Sequence, residues 1–342
     1  MKRLFALVLA VCLLTGCSQA APVADNTQQY TATFLTLFDT VTTIIGRAES
    51  EEAFGQITQA IHDDLQYYHE RFDIYHDYEG INNLKTVNDN AGICPVEVDP
   101  VIIELLKDCK TYYDLTGGKV NVMLGSVLHL WHEARNDGIN DPQNAVLPDM
   151  EELQEASKHT GFDGLVIDEE ASTVYLSDPD ARLDVGAIAK GWATQRAAEN
   201  APAGVLISVG GNVCATGPKL SDGTPWVIGI QDPDAADKNL HTVFVTENSV
   251  VTSGDYQRTY WVEGKAYHHL IDPDTLMPAA YWRSVSIVCS DSGLADALST
   301  ALFLMDREAG MALAEACDAQ ALWVAADGTE YQTPGLKEML RT

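Results

Sequence analysis

The sequence predicts an α+β fold held in one unit, on three observations. Apolar residues recur at helical spacing through much of the first half. From about residue 163 short apolar runs bounded by turn residues take over. No Pro- or Ser-rich linker interrupts positions 34–342. The sheet is therefore expected mostly in the C-terminal half, in a body of one lobe or two. No repeat of 20 to 50 residues and no long low-complexity stretch points to a solenoid or a fibre.

The chain opens on "MKRLFALVLAVCLLTGCSQ": two cations, an apolar run from Leu4 to Leu14, then small residues. That run is too short to span a bilayer as a helix and suits the apolar core of a secretory signal. Residues 1–17 are accordingly expected to be a signal peptide. "LTGC" resembles the lipobox of bacterial lipoproteins, which makes Cys17 the expected lipidation site; an ordinary secretory signal with an incidental cysteine is the alternative. Residues 18–33, including "SQAAPVADNTQQ", show no hydrophobic period and read as a flexible tether. The folded part, 34–342, is then expected outside the cytoplasmic membrane, held to its outer surface by a lipid anchor.

The strand pattern begins at "FLTLFDTVTTIIG" (34–46). From Ser50 the pattern is helical: Phe54, Ile57, Ile61, Leu65 and Tyr68 share a face, with Glu51 and Glu52 in the first turn. "DPVIIELLKDCKTYYDLTGG" is a second helix, with Asp99 as N-cap, Pro100 at the first helical position and Gly117–Gly118 as the stop. A third runs roughly from Asp149 to His159. Strands then follow in "GLVIDE", "STVYLS", "RLDVG", "GVLISVG", "PWVIGIQ", "HTVFVT", "AYHHLID" and "RSVSIVCS". Helices interrupt them near 189–200 and 292–306, with a shorter one near 308–317.

Charge narrows the function. The chain carries 21 Lys and Arg against 50 Asp and Glu, a net −29 spread along its length. Such a surface repels phosphate backbones, so nucleic acid is not an expected partner. A phosphate-bearing ligand would need local help from a cation or from backbone N–H groups. Five cysteines follow Cys17, at 94, 109, 214, 289 and 317, widely spaced and without CxxC; most sit in apolar contexts, which favours buried small hydrophobes over a disulfide framework.

Several motifs carry possible chemistry. "LDVGAIAKGWATQ" (183–195) runs strand, glycine turn, helix, with Lys190 near the helix start; it suits an anion or is plain chain reversal. It is neither a P-loop nor a GxGxxG fingerprint. Gly210 and Gly211 in "SVGGNVCATG" allow a ligand to touch the backbone, or make a tight turn. His268 and His269 are adjacent, so in a strand only one can face a site. "HLWHE" (129–133) spaces two histidines i,i+3 but lacks the HExxH order, and Trp131 reads as a packing residue. Tyr75 and Tyr78 either stack on a flat ligand or cover the core. "ADALSTAL" (295–302) puts Asp296 and Thr300 on one helix face. They are hard oxygen ligands for Mg²⁺, or Asp296 simply marks a helix start.

In their order these motifs resemble the flavin transferase family known as ApbE. The resemblance rests on "FDT" (38–40), "YHDYEGINNLKTVN" (75–88), "GGKVNVMLGSVLHLW" (117–131), "LDVGAIAKG" (183–191), "SVGGN" (208–212), "TSGDY" (252–256), "HLIDPDT" (269–275) and "ADALSTAL" (295–302). It implies a single ApbE-type, T-fold-like unit. It further implies transfer of FMN from FAD to a threonine, or less often a serine, of an acceptor protein, with Mg²⁺ and release of AMP. The acceptor class is an extracytoplasmic flavoprotein such as a subunit of a membrane redox complex or a secreted reductase. Metal-dependent hydrolysis of FAD to FMN and AMP, or non-catalytic flavin binding, are the alternatives.

The family pattern also implies roles. Asp296, Thr300 and the Ala187 carbonyl would hold the metal, and His269 would be the base. Asp184 and Lys190 match positions near the nucleotide portion. Phe38, Tyr75, Val120, Asn121 and Ile271 match positions along the flavin or ribityl chain; Lys119, Ser253 and Gly254 complete the expected lining. Two departures stand out: Asn121 replaces a usual Asp, and Leu276 a usual glycine, so the turn after His269 is expected to differ in shape.

Overall fold

The computed structural model describes residues 27–341; the expected signal peptide, Cys17 and the first part of the expected tether lie outside the described residues. The chain runs β1 (Gln28–Phe34), β2 (Thr42–Ala48), α1 (Glu51–Phe72), α2 (Leu84–Asp89), β3 (Val96–Glu97), α3 (Pro100–Leu115), α4 (Gly125–Asn140) and α5 (Met150–Ala156). It continues through β4 (Leu165–Asp168), β5 (Thr173–Leu176), α6 (Ala189–Asn200), β6 (Leu206–Val209), β7 (Asn212–Ala215), β8 (Trp226–Asp232), β9 (Ala235–Val245) and β10 (Ser249–Gly254). It closes with β11 (Tyr260–Val262), β12 (Lys265–Tyr267), β13 (Ser284–Cys289), α7 (Ser292–Phe303), α8 (Arg307–Ala316), β14 (Gln320–Val324), β15 (Glu330–Gln332), α9 (Leu336–Met339) and β16 (Leu340–Arg341).

The main sheet is antiparallel, in the order β1-β2-β6-β7-β10-β13-β14-β15. Both of its faces are covered. Ile207, Val251 and Ile287 point into the helical side, while Leu206, Val250 and Val288 point into a second cluster with Trp226, Ile228 and Val243 of the β16-β9-β8 sheet. Burial on both faces explains why "VLISV", "SVV" and "SVSIVC" are near-continuous apolar runs and not alternating ones.

Helices α1, α6 and α7 pack on one side of this sheet. α7 is buried over nearly its whole surface and is mostly apolar all round; among its few polar residues the carboxylate of Asp296, with Thr300 one turn on, stands out. Gly191 lets α6 approach it. A Cβ at 191 would overlap the Ser292 carbonyl oxygen and the Asp296 Cβ.

Four expectations change. The 34–46 stretch is not one strand: β1 ends at Phe34, a 3₁₀ turn covers Leu37–Asp39, and β2 begins at Thr42. The chain reverses there through Phe38 and Asp39, both at φ +53°, a conformation the residue types do not advertise. Residues 28–33, read as tether, form most of β1; Tyr30, Ala32 and Phe34 alternate inward against Ile44, Phe54 and Ile61 on the helical side, a signal that the flanking polar residues obscured. "RLDVG" is a loop, because Asn88 takes both backbone groups of Leu183 (Leu183 N–H to Oδ1, 2.7 Å; Nδ2–H to the carbonyl, 3.0 Å) in place of a neighbouring strand. β12 stops at Tyr267, so both His268 and His269 lie beyond a strand end.

Among the described residues the five cysteines are free; Cys109, Cys214 and Cys289 are buried. No helix there is long and apolar enough to cross a membrane.

Candidate active site

A cavity of about 590 Å³ opens beside α7, large enough for a cofactor-sized molecule. Its lining joins the turn at 38–40, the end of α1, the 119–124 loop, α4, the start of α6, β10, the 268–271 segment and α7.

At the α7 end the donors are oxygens. Asp296 and Thr300 are one helical turn apart and 4% and 8% exposed. The Gly191 N–H donates to Asp296 Oδ2 over 2.8 Å, and the Lys190 ammonium lies 3.7 Å from the same oxygen. That N–H lies in the first turn of α6, where it has no helical acceptor. The Ala187 carbonyl, just before the helix, accepts no backbone N–H among the described residues. The preceding turn is tied by Asp184, whose Oδ1 accepts from the Gly186 N–H (2.8 Å), and by Lys190 donating to the Gly186 carbonyl (3.2 Å). A carboxylate, a hydroxyl and a carbonyl with no backbone donor fit a hard divalent cation.

His269 faces the same cavity. Its Nδ1–H donates to the Gln257 carbonyl (3.2 Å), which leaves Nε2 as the basic nitrogen. Burial, with Arg258, His268 and Lys190 nearby, pushes its pKa down to about 3, so the ring is neutral at pH 7. His268 does structural work instead: Nε2–H donates to the Ala279 carbonyl (2.9 Å), Nδ1 accepts from the Leu270 N–H, and the ring stands edge-on to Phe303.

The turn after His269 is braced from several sides. The Lys119 ammonium bridges Asp272 (2.8 Å) and Asp274 (2.7 Å), the Leu276 N–H donates to the Asp272 carbonyl, and Trp131 Nε1–H donates to the Leu276 carbonyl (2.9 Å). Leu276 adopts φ +60°. This is the left-handed region that glycine enters most easily, and a leucine holds it here.

The opposite wall is aromatic and cationic. Tyr75 stacks on His132 (5.1 Å between rings, 25°), and Arg135 Nη2–H donates to His132 Nδ1 (2.9 Å). Arg258 joins this wall at φ +46°. The Phe38 N–H donates to His69 Nδ1; His69 Nε2–H then donates to the Tyr78 hydroxyl, which donates to Asp73. That chain holds the left-handed Phe38 at the cavity edge, and it makes Tyr78 a bracing residue and not a stacking surface.

Phe38, Tyr75, Val120, Ile271, Asp184, Lys190, Ser253, Ala187, Asp296, Thr300 and His269 all line this cavity. Three expected residues stand differently. Gly254 is not in the lining; it ends β10 under the Tyr256 ring, which a Cβ would strike. Asn121 lines the cavity, but its amide is spent on Met123 N–H (2.9 Å) and the Thr160 carbonyl (3.1 Å). Lys119 lines it with its charge already paired. Arg135, Arg258 and Asn212 also line it and had been assigned no role. Arg258 and Asn212 sit inside or beside motifs, whereas Arg135 had only its i,i+3 spacing from His132 as a signal.

A group of His, Asp and Glu ligand atoms close enough to share a metal occurs elsewhere, at His159, Asp178 and Asp180. His159 Nδ1 is already paired with Asp178 at 2.7 Å, and none of the three lines the cavity.

Residues 35–323 match the model of the ApbE family. The chain is 34% identical over 277 residues to the FAD:protein FMN transferase of Treponema pallidum, covering 75% of each chain. It is 30% identical over 276 residues to that of Vibrio cholerae, covering 77% of this chain and 79% of the relative. Among solved structures, the ApbE protein from Thermotoga maritima superposes with a TM-score of 0.81 at 31% identity, over 92% of this chain and all of that one. The flavin transferase ApbE from Vibrio cholerae gives 0.74 at 24% identity, over 92% and 99%.

Proposed function

The chain belongs to the ApbE family and is a flavin transferase, and we propose that it moves the FMN half of FAD onto a threonine, or less often a serine, of an acceptor flavoprotein, releasing AMP with Mg²⁺ as cofactor. One observation carries the reading: an all-oxygen donor set at Asp296, Thr300 and Ala187 shares a cavity with a neutral His269 whose Nε2 is free to accept a proton.

Mg²⁺ at that donor set supplies neutralisation and polarisation of the phosphoryl group in a protein of net charge −29. The protein's own residues do the rest. His269 Nε2 takes the proton of the acceptor hydroxyl as its oxygen bonds to the FMN phosphorus; the bond to AMP breaks and AMP leaves with the electron pair. The phosphates' negative charge offsets Arg258 and Lys190 and raises the basicity of His269 from its value in the empty cavity. Lys190 faces the departing phosphate, and Phe38 and Tyr75 offer flat surfaces to the flavin.

The lipobox supports a lipid-anchored enzyme on the extracytoplasmic side of the cell membrane, where its acceptor would be a membrane redox subunit or a secreted reductase. The test is Mg²⁺ dependence. Purified chain, FAD and an acceptor domain are assayed for protein-bound flavin with and without EDTA, for wild type and Asp296→Ala. Loss of transfer on chelation and in the variant is expected; transfer that survives both would remove the metal assignment.

A further inference from the structure

Asn212 opens β7 directly after the Gly210–Gly211 turn, whose positive φ values (+57° and +93°) reverse the chain. Gly210 packs on Thr40, so Asn212 borders the turn that carries Phe38. The residue is 3% exposed, and its Nδ2 has no hydrogen-bond partner. Among the described residues five other buried side-chain atoms are in that condition: Thr42 Oγ1, Ser249 Oγ, Asp255 Oδ1, Ser292 Oγ and Trp323 Nε1. Of these six residues only Asn212 lines the cavity.

A buried amide without a partner costs folding free energy, so its presence needs a reason. Neighbouring polar groups on the same wall do not share the problem. Thr252 Oγ1 pairs with Ser286 Oγ (2.7 Å), and Ser253 Oγ pairs with Ser299 Oγ (2.8 Å). Those hydroxyls are satisfied by the protein; the Asn212 amide is left over. It is uncharged, it offers a donor at one end and an acceptor at the other, and its terminal torsion is soft. That chemistry suits a neutral hydroxyl or carbonyl, whereas the phosphates have Lys190 and the oxygen donor set.

We propose that Asn212 is a binding residue for the FMN half of FAD, giving its amide to a hydroxyl or carbonyl of the ribityl–flavin portion. The proposal rests on the flavin-transferase reading above. Substrate then completes a hydrogen bond that the empty protein forgoes, and the cost of the unsatisfied amide is recovered on binding.

The test compares wild type with Asn212→Ala and Asn212→Leu in the purified chain. Binding of FMN and of AMP is measured separately by calorimetry, FAD binding in EDTA by fluorescence quenching, and the empty protein's unfolding midpoint by calorimetric scanning. The expected result is FMN and FAD binding about tenfold weaker, AMP binding unchanged, and an unfolding midpoint equal or higher, as one hydrogen bond lost and one buried orphan removed require. Unchanged FMN affinity, or an equal loss for FMN and AMP with a lowered midpoint, overturns the proposal and makes the amide structural. Wild-type FAD binding separates the two levels. Its absence defeats the flavin-transferase reading, while intact wild-type binding beside an unaffected variant defeats only the role of Asn212.

Discussion

The Gly191 N–H donates to Asp296 Oδ2 over 2.8 Å, joining the first turn of α6 to the middle of α7. This single bond gives a first-turn N–H of α6 its partner, fixes one carboxylate oxygen and keeps Lys190 at the same end of the cavity. Local backbone geometry and the proposed metal chemistry thus depend on one glycine.

Gly191→Ala forces α6 and α7 apart, because the new methyl meets the Ser292 carbonyl and the Asp296 Cβ. Overpacking of this kind costs about 1–3 kcal/mol. Chemical denaturation is expected to show that loss, and flavin transfer is expected to fall further than stability does, since the bond to Asp296 is stretched as well.

Asp296→Asn keeps an oxygen to accept from Gly191 but removes the charge. Folding is expected to be nearly unaffected. The Mg²⁺ concentration for half-maximal transfer is expected to rise by roughly 10- to 100-fold or more, the scale on which even outer partners of a metal act. A Mg²⁺ titration of initial rates measures it.

His269 has its pKa depressed from 6.5 to about 3 in the empty cavity. Because kcat/KM reports the free enzyme, its acid limb should lie well below pH 6. Arg258→Gln removes a neighbouring positive charge, favours the protonated ring and raises this pKa, so the limb moves to higher pH. The sign for stability follows from the same shift. The unfolded ring binds protons between pH 6.5 and about 3 while the folded ring does not. The His269 contribution to stability is therefore intact above 6.5 and is lost as pH falls toward 3. Rate profiles of both proteins from pH 8 down to the lowest pH at which each stays folded test the kinetic half.

Leu276 sets two effects against each other. Its φ of +60° costs about 1–2 kcal/mol for a residue with a Cβ. Its side chain is 7% exposed, packed with Trp131, Tyr260 and Ile271, and truncating such a leucine costs about 2–5 kcal/mol. Packing wins, so Leu276→Gly is expected to lose roughly 2 kcal/mol net, the difference between the middles of those two ranges. The turn keeps its left-handed shape, and kcat is expected to stay within about twofold of wild type, a change of well under 1 kcal/mol in barrier height. Urea denaturation and steady-state rates test the two halves separately.

The sequence made the helices legible wherever a cap and a period agreed. Ser50, Asp99 and Asp149 all accept from backbone N–H groups at the helix starts they were expected to mark. It concealed what depends on long-range partners. The 182–186 segment has strand composition, but Asn88, some 95 positions earlier, takes its backbone groups. The left-handed pair at Phe38 and Asp39 is held by His69 and Tyr78, which no local pattern couples to it.

The site was legible as motifs and not as partners. "ADALSTAL" singled out Asp296 and Thr300 as the proposed oxygen ligands, but only the fold brings Gly191 to Asp296. Spacing could not tell that Asn121 spends its amide on the backbone while Asn212, inside an equally polar motif, does not. Gly254 was misread for a related reason: a glycine beside a site can serve a neighbouring ring, here Tyr256, instead of the ligand.

The most direct measurement is the stoichiometry of AMP released to flavin bound on an acceptor protein, with the purified chain, FAD and Mg²⁺. The account predicts one AMP for each flavin that remains on the acceptor through a denaturing gel, and almost none of either with His269→Ala. AMP released in full with no flavin retained on a competent acceptor would contradict it and make the enzyme a hydrolase of FAD.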